Sequence, residues 1–408
     1  VKPVASRMDA PSSVMALHFD AAKEYLYVVD YNQGRVLKYD YTNQRYVGWI
    51  GMFSNPANAT SPISGSNATL YPGLPSAASC VSTTSGSRTP GWCVGGQSIN
   101  TSTTNTTGGM WGPRKITDDG TYIYVPQLNS HIVSRYNALS GAFEGWIGQI
   151  SSTPTGYGTG GSAACTSTSS GITPGWCVGG LEASNASATA TWGYGNGAMY
   201  NPSAITNDGT YLYVGTSGAI LRFLLSNGSF QGWIGKAYTT APTSGAGGCT
   251  SLSNGTTAPG WCFGGTYRQA TSGAEVAAGG IYSPSNMYIS GGSLYVLESA
   301  YSGYIIKYDV ATGAFQSVLP NLAHNWPGAY DFIQDPNSSY IFVADHYRIT
   351  AVDSTGTVNA WMGKVANNAS MSAGLANTSD CSTLSINSTT PGWCLGGRVK
   401  VVLMKRPL

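Results

Sequence analysis

A short aromatic run recurs five times along the chain: Tyr25-Leu-Tyr-Val28, Tyr122-Ile-Tyr-Val125, Tyr211-Leu-Tyr-Val214, Ser293-Leu-Tyr-Val296 and Tyr340-Ile-Phe-Val343. A sequence that repeats one unit folds as copies of one substructure, and residues of these types in a row favour strands. Before each run lies an apolar stretch, often opened by Pro and closed by an Asp/Asn/Gly turn, as in Pro113-Arg-Lys-Ile-Thr-Asp-Asp-Gly120 and Pro202-Ser-Ala-Ile-Thr-Asn-Asp-Gly209. Pro is tolerated at a strand start. A third apolar run follows, such as Arg35-Val-Leu-Lys-Tyr-Asp40, Ile220-Leu-Arg-Phe223, Ile305-Ile-Lys-Tyr-Asp309 or Ile349-Thr-Ala-Val-Asp353. Then comes a turn, at Ser140-Gly141, Asn227-Gly228, Thr312-Gly313 or Thr355-Gly356. A fourth run ends in Gly48-Trp-Ile-Gly51, Gly145-Trp-Ile-Gly148, Gly232-Trp-Ile-Gly235 or Ala360-Trp-Met-Gly363. Four strands joined by tight turns predict one blade, at about residues 10–52, 112–149, 201–236, 283–320 and 326–364. No helix is predicted.

A lone four-stranded meander cannot bury both of its faces, so copies must stack, and radial stacking gives a propeller. The expected fold is therefore all-β: one β-propeller domain over residues 1–408, with Trp and Tyr packed between blades. The order Pro, apolar strand, Asp-Gly, Leu-Tyr-Val, Ile-x-Lys-Tyr-Asp, Gly and Trp-Ile-Gly resembles NHL-repeat β-propellers over residues 10–364, the insertions apart. The Asp that this resemblance places after the aromatic strand stands at Asp30 and Asp345; Pro126, Gly215 and Leu297 take its place elsewhere, and those blades are expected to lack its turn contact. Of the trio that names the family, Asn129-Ser-His-Ile132 keeps a trace. The resemblance implies six blades where five repeats are found, so five or six are expected. The segment 398–408, opening Arg398-Val-Lys-Val-Val-Leu-Met404, reads as a terminal strand, and Val1-Lys-Pro-Val-Ala5 is also apolar. Either closes the ring or is donated to a neighbour.

Long insertions, at residues 53–109, 150–198, 237–280 and 365–397, follow blades 1, 2, 3 and 5. Connections usually run about 2 to 6 residues, so loops this long serve a purpose or are disordered. Each carries the motif Thr89-Pro-Gly-Trp-Cys-Val-Gly-Gly96, repeated from Thr173 to Gly180, Ala258 to Gly265 and Thr390 to Gly397; blade 4 lacks it. The eight cysteines fall into four close pairs within these repeats: Cys80 with Cys93, Cys165 with Cys177, Cys249 with Cys262, and Cys381 with Cys394. Repeat symmetry selects these pairs as disulfides among the possible connectivities, and disulfides imply an oxidising compartment. Zinc sites want much shorter Cys spacing and a nearby His. Closing a loop of this size removes on the order of 3 kcal/mol of unfolded-state freedom, which orders a Gly/Ser/Thr-rich segment.

Only 9% of residues are charged, Gly numbers 54, and the formal net charge is +2 with no basic run. Nothing here suits nucleic acid or an anionic membrane surface. No stretch reaches the roughly 18 to 20 apolar residues of a spanning helix. A start at Val1 without a signal-like segment leads us to expect a processed, secreted, extracellular or cell-surface chain. Asn-x-Ser/Thr sequons stand at Asn58, Asn67, Asn100, Asn105, Asn185, Asn227, Asn254, Asn337, Asn368, Asn377 and Asn387, mostly in the insertions, and make covalent glycans expected partners. Ser/Thr tracts offer O-linked attachment as the alternative.

Titratable groups are few: four His and 18 carboxylates. His131 and His346 fall in or beside the turn after the second strand, His18 ends a first strand, and His324 lies between blades 4 and 5; these are not equivalent blade positions. The resemblance extends to lyases with a channel metal held by His, for which His18 with His324 would serve, but ordinary hydrogen-bonded histidines are expected. Asp40, Asp309 and Asp353 suit turn capping. Asp118, Asp119 and Asp208 could alternatively ligate calcium. No catalytic, cofactor or metal set is expected. The function expected is that of an extracellular structural glycoprotein that associates with copies of itself into a filament, tube or surface layer. The alternatives are a secreted carbohydrate- or protein-binding propeller and an NHL-type metal-dependent lyase. Exposed Trp92, Trp176, Trp261 and Trp393 would favour the binding module, unless each packs over its disulfide.

Overall fold

A computed structural model describes residues 10–60, 80, 83–100, 105–183, 192–195, 197–299, 303–319, 329, 331–335, 340–344, 348–353, 355–363, 365–367, 372–373, 381, 389–390, 393–395 and 398–399. The fold is all-β, built from propeller-type blades. Blade 1 is the antiparallel meander Val14–Phe19, Tyr25–Asp30, Arg35–Asp40 and Arg45–Gly51, hydrogen-bonded in that order. Blade 2 repeats it with Thr117–Asp118, Tyr122–Gln127, Ile132–Asn137 and Phe143–Ser152, and blade 3 with Ala204–Asn207, Tyr211–Thr216, Ala219–Leu224 and Phe230–Ala237. Blade 4 is Pro284–Ser290, Ser293–Glu298, Tyr304–Asp309 and Phe315–Val318; blade 5 is Asp331–Gln334, Ile341–Ala344, Arg348–Val352 and Val358–Gly363. Blades 1 to 3 belong to a compact unit, Val1–Gln269, and blades 4 and 5 to a second, Ala270–Leu408.

Strand alternation divides each blade into two faces. In blade 1 the front face carries Ala16, Tyr27, Val29 and Val36, which share a core with Ile123, Val125 and Tyr136 from the back face of blade 2. Blade 2 presents Tyr124, Val133 and Ile147 to Leu212, Val214, Leu221 and Phe223 of blade 3. Leu297 and Ile305 of blade 4 meet Phe332, Ile341 and Val343 of blade 5 in the same way. Front face on back face is thus the one contact from which each unit is built. On the back of blade 1, Val28, Leu37 and Trp49 are covered by Phe53, Ala59 and the Cys80–Cys93 pair of its own insertion.

The polar residue that ends the second strand of blades 2 to 4 stands one position later than the sequence pattern suggests. Asp30 pairs with the first residue of the third strand, and so do Gln127, Thr216 and Glu298. Pro126, Gly215 and Leu297 are therefore not its replacements, and blades 2 to 4 keep a buried polar group there. Asp30 accepts from the amides of Ser12 and Ser13, Glu298 from those of Tyr282 and Ser283, and Gln127 from that of Trp111. Each holds the segment entering its blade, and Arg35 balances the buried Asp30 carboxylate at 3.2 Å. Asp345 lies outside the described residues.

Among the described residues a short α-helix, Gly273–Ala277, departs from the expectation of none. Ser272 caps it by accepting from the Glu275 amide, and Glu275 reaches back to the Thr271 amide. Among the described residues no helix is long and apolar enough to cross a membrane.

Candidate functional site: disulfide clasps on the blades

All four expected disulfides form, with Cα–Cα separations of 5.9, 5.5, 5.6 and 5.8 Å for Cys80–Cys93, Cys165–Cys177, Cys249–Cys262 and Cys381–Cys394. No described cysteine is left free. The second cysteine of each pair bridges the Trp of the fourth strand: Trp49 with Cys93, Trp146 with Cys177, Trp233 with Cys262 and Trp361 with Cys394. Each insertion therefore returns to lay a fifth strand on the outer edge of its own blade, where unpaired N–H and C=O groups would otherwise face solvent.

The motif residues have separate tasks in this clasp. The indoles of Trp49, Trp146 and Trp233 donate to the carbonyls of Gly95, Gly179 and Gly264, fixing the Gly-Gly end. Thr89 closes the other end twice: its amide donates to Gly51 O, and its hydroxyl accepts from Gly51 N at 3.2 Å. Thr173 with Gly148 and Thr390 with Gly363 repeat both bonds. Ala258 makes the backbone bond to Gly235 without a hydroxyl to offer.

The Trp before each second cysteine points to the opposite side, onto the front face. Trp92 stacks on Tyr27 at 6.0 Å, Trp176 on Tyr124 at 5.5 Å, Trp261 on Tyr213 at 5.6 Å and Trp393 on Phe342 at 5.3 Å. In three blades a cation from the third strand enters the stack. Lys38 lies 3.9 Å from the Tyr25 ring and 5.4 Å from Trp92; Arg135 lies 4.4 Å from Tyr122 and 4.6 Å from Trp176; Arg222 lies 4.6 Å from Tyr211 and 4.5 Å from Trp261. These cations stand opposite Tyr27, Tyr124 and Tyr213 in register. Blade 4, without a clasp, keeps only Lys307 beside Tyr295, and blade 5 has Ala351 opposite Phe342. Burial lowers the Lys38 amine to about 8, against the attraction of Asp20 and Asp40.

The same Trp residues reach the next blade. Trp92 donates through its amide to Ser140 O and through Nε1 to Ala138 O, which also accepts from Lys38 Nζ at 2.7 Å. Trp176 repeats the pattern on Asn227 O and Leu225 O. This explains the turn glycines: a Cβ at Gly141, where φ is +76°, would lie 2.5 Å from Trp92 N. Trp92, Trp176 and Trp261 are buried, so these three form no exposed stacking platform.

The remaining site residues stabilise turns and blade contacts. Asp119 accepts from the amides of Thr121 and Tyr122 and from the Tyr124 hydroxyl, and Asp208 does the same for Thr210, Tyr211 and Tyr213. Asp118 takes the Gly120 amide and meets His18 Nε2 of blade 1 at 2.5 Å. Asp40, Asp309 and Asp353 hold Asn43, Thr312 and Thr355 in the turns after the third strands. His131, at φ +58°, stacks on Tyr200 and accepts the Asn201 amide at Nδ1; burial lowers it to about 4. No group of three or more His, Cys, Asp or Glu that could hold a metal occurs among the described residues, and His324 and His346 lie outside them.

Of the sequons, Asn58 and Asn254 are exposed in insertion loops. Asn227 is half-buried in a turn, its side chain accepting from Ser229 N. Asn100 ties its insertion to blade 1 and to the start of blade 2, donating from Nδ2 to Tyr31 O and accepting from Gly112 N; a glycan on that nitrogen would compete with the first bond. Asn105 begins a 3-10 turn, Asn105–Thr107. Asn67, Asn185, Asn337, Asn368, Asn377 and Asn387 lie outside the described residues, as do residues 1–9 and 400–408.

No family model matches the sequence, and no curated protein matches it. Among solved structures it is similar to hydrazine synthase of Kuenenia stuttgartiensis, with a TM-score of 0.42 and 12% identity over 89% of this chain and 68% of that one. It is also similar to a chain of a nidogen/laminin complex, with a TM-score of 0.38 and 9% identity over 85% of this chain and 79% of that one.

Proposed function

We propose that this protein is an extracellular structural glycoprotein, with NHL-type blades, whose copies associate into a filament, tube or surface layer. The observation that carries the reading is where the insertions go. Loops long enough to build a recognition face instead fold back as edge strands, and their tryptophans fill the space between blades. Such an arrangement stiffens a building block. Four disulfides suit an oxidising exterior, and exposed Asn58 and Asn254 are accessible acceptors for glycans. A low charge density removes long-range repulsion between copies. Electron microscopy of the native secreted material tests this: ordered filaments or sheets are expected, and uniform single particles would refute it.

A second reading, a secreted binding module, is favoured by Tyr157, 52% exposed, and Phe263, 40% exposed, on the second and third insertions. Under that reading Tyr157→Ala lowers affinity for a glycan or protein ligand at least tenfold in a titration. An unchanged affinity removes this support.

A further inference from the structure

We infer that Lys38 is a methylation site, whose dimethylated ammonium fills an aromatic cage between blades 1 and 2. The cage is made by Tyr25, Tyr27 and Trp92, with ring centres 3.9, 5.6 and 5.4 Å from Lys38 Nζ. Ala138 of blade 2 closes it, its carbonyl accepting from Nζ at 2.7 Å, and Lys38 is 2% exposed. A lysine ammonium carries three N–H donors and is strongly hydrated in water. Here one donor is satisfied. Among the described residues the other two meet no acceptor oxygen, and Asp20 and Asp40 attract the charge without forming an ion pair with it.

Blades 2 and 3 show what the space is sized for. Arg135 and Arg222 stand at the equivalent position, and each guanidinium lies against both of its rings, at 4.4 and 4.6 Å and at 4.6 and 4.5 Å. Each also donates to a fourth-strand carbonyl, Arg135 to Glu144 O and Arg222 to Gln231 O. Lys38 makes no such bond among the described residues, and it touches one ring while standing off from two. Carbon atoms in contact lie about 3.5 to 4.0 Å apart and an N–C bond adds about 1.5 Å, so an N-methyl group meets a ring about 5 to 5.5 Å from its nitrogen. That is the separation from Trp92 and nearly that from Tyr27. Two methyl groups thus replace the two N–H donors that lack acceptors, and the remaining N–H keeps its bond to Ala138. The positive charge is retained and attracted by the ring faces.

Each methyl transfer needs a sulfonium methyl donor. The amine lone pair attacks the methyl carbon, the N–C bond forms as the C–S bond breaks, a thioether leaves, and the nitrogen gives up a proton before the second round. Burial bars the folded chain from this reaction, so it precedes the docking of Trp92 and blade 2 over the lysine. The inference is independent of how copies of the chain associate.

Peptide mass spectrometry of the native protein is expected to find Lys38 carrying two methyl groups as its main form. None, one or three would overturn the inference: fewer leave a donor facing a ring, and three leave no N–H for Ala138. A second measurement tests the enclosure itself. Unmodified recombinant protein with its disulfides formed is treated with formaldehyde and a hydride reductant. Lys23, on an exposed turn, should become dimethylated in the folded protein, and Lys38 only after unfolding. Equal labelling of both lysines in the folded protein would overturn the closed cage.

Discussion

His131 shows how one side chain can set a pH limit. Its imidazole accepts an amide hydrogen and sits on Tyr200, and its burial there keeps it neutral and lowers it to about 4. An exposed imidazole titrates near 6.5. As pH falls between these values the unfolded chain takes up a proton that the folded chain refuses. Stability is therefore fully present above about 6.5 and declines toward about 4, by at most about 3 kcal/mol. His131→Asn, which tolerates the left-handed backbone, should flatten stability against pH across that window in denaturant titrations. Ala258 offers the opposite change. Restoring the motif hydroxyl with Ala258→Thr should give Gly235 N the partner that Thr89 gives Gly51 N, raising stability by about 1 kcal/mol.

Within one blade and its clasp, the stack of Tyr, cation and Trp is the main joint. Trp176 contacts Tyr124, Arg135 and two carbonyl groups of blade 3, and it is wholly buried. Trp176→Ala should cost about 3 to 5 kcal/mol, read by chemical denaturation, since neither blade can move in to fill the gap. The strands and disulfides were legible because period-2 patterning and near-identical motif copies are local signals. The clasp was not: that Cys93 returns to Trp49 depends on a contact across residues 53–109, whose spacing carries no trace of direction. The shift of one position at Gln127, Thr216 and Glu298 arose because Asp, Gln, Thr and Glu do one task with different side chains. The short helix could have been read from Ser272-x-x-Glu275, a capping-box pattern that the Gly-rich surroundings obscured.

At the level of the molecule, tyrosine is the structural cement, and this predicts an alkaline limit. Burial holds the phenols of Tyr27, Tyr124, Tyr213 and Tyr308 protonated well above their usual range; Asp119 and Asp208 add to this at Tyr124 and Tyr213. An exposed phenol ionises near 10. Their contribution is complete below that value and is lost as pH rises past it, because the unfolded chain releases protons that the fold retains. Phenolate absorbance from these residues should therefore appear together with loss of strand signal in circular dichroism, as one cooperative transition. Blade stacking was legible from the meander argument alone. Which apolar strand residues stay exposed was not, since Leu17 and Ile333 look like any other apolar strand residue in the sequence.

The disulfides also bear on how such a chain could be made. Each cysteine finds its partner 12 or 13 residues away, on the edge of the blade just completed. Oxidation needs nothing from later sequence, so a chain made in order into an oxidising compartment can fasten blades 1, 2 and 3 as they appear, with few wrong thiol pairings on offer at any moment. Blade 4 emerges without a fastener of its own, and it is there that a stalled chain would be most open to proteases.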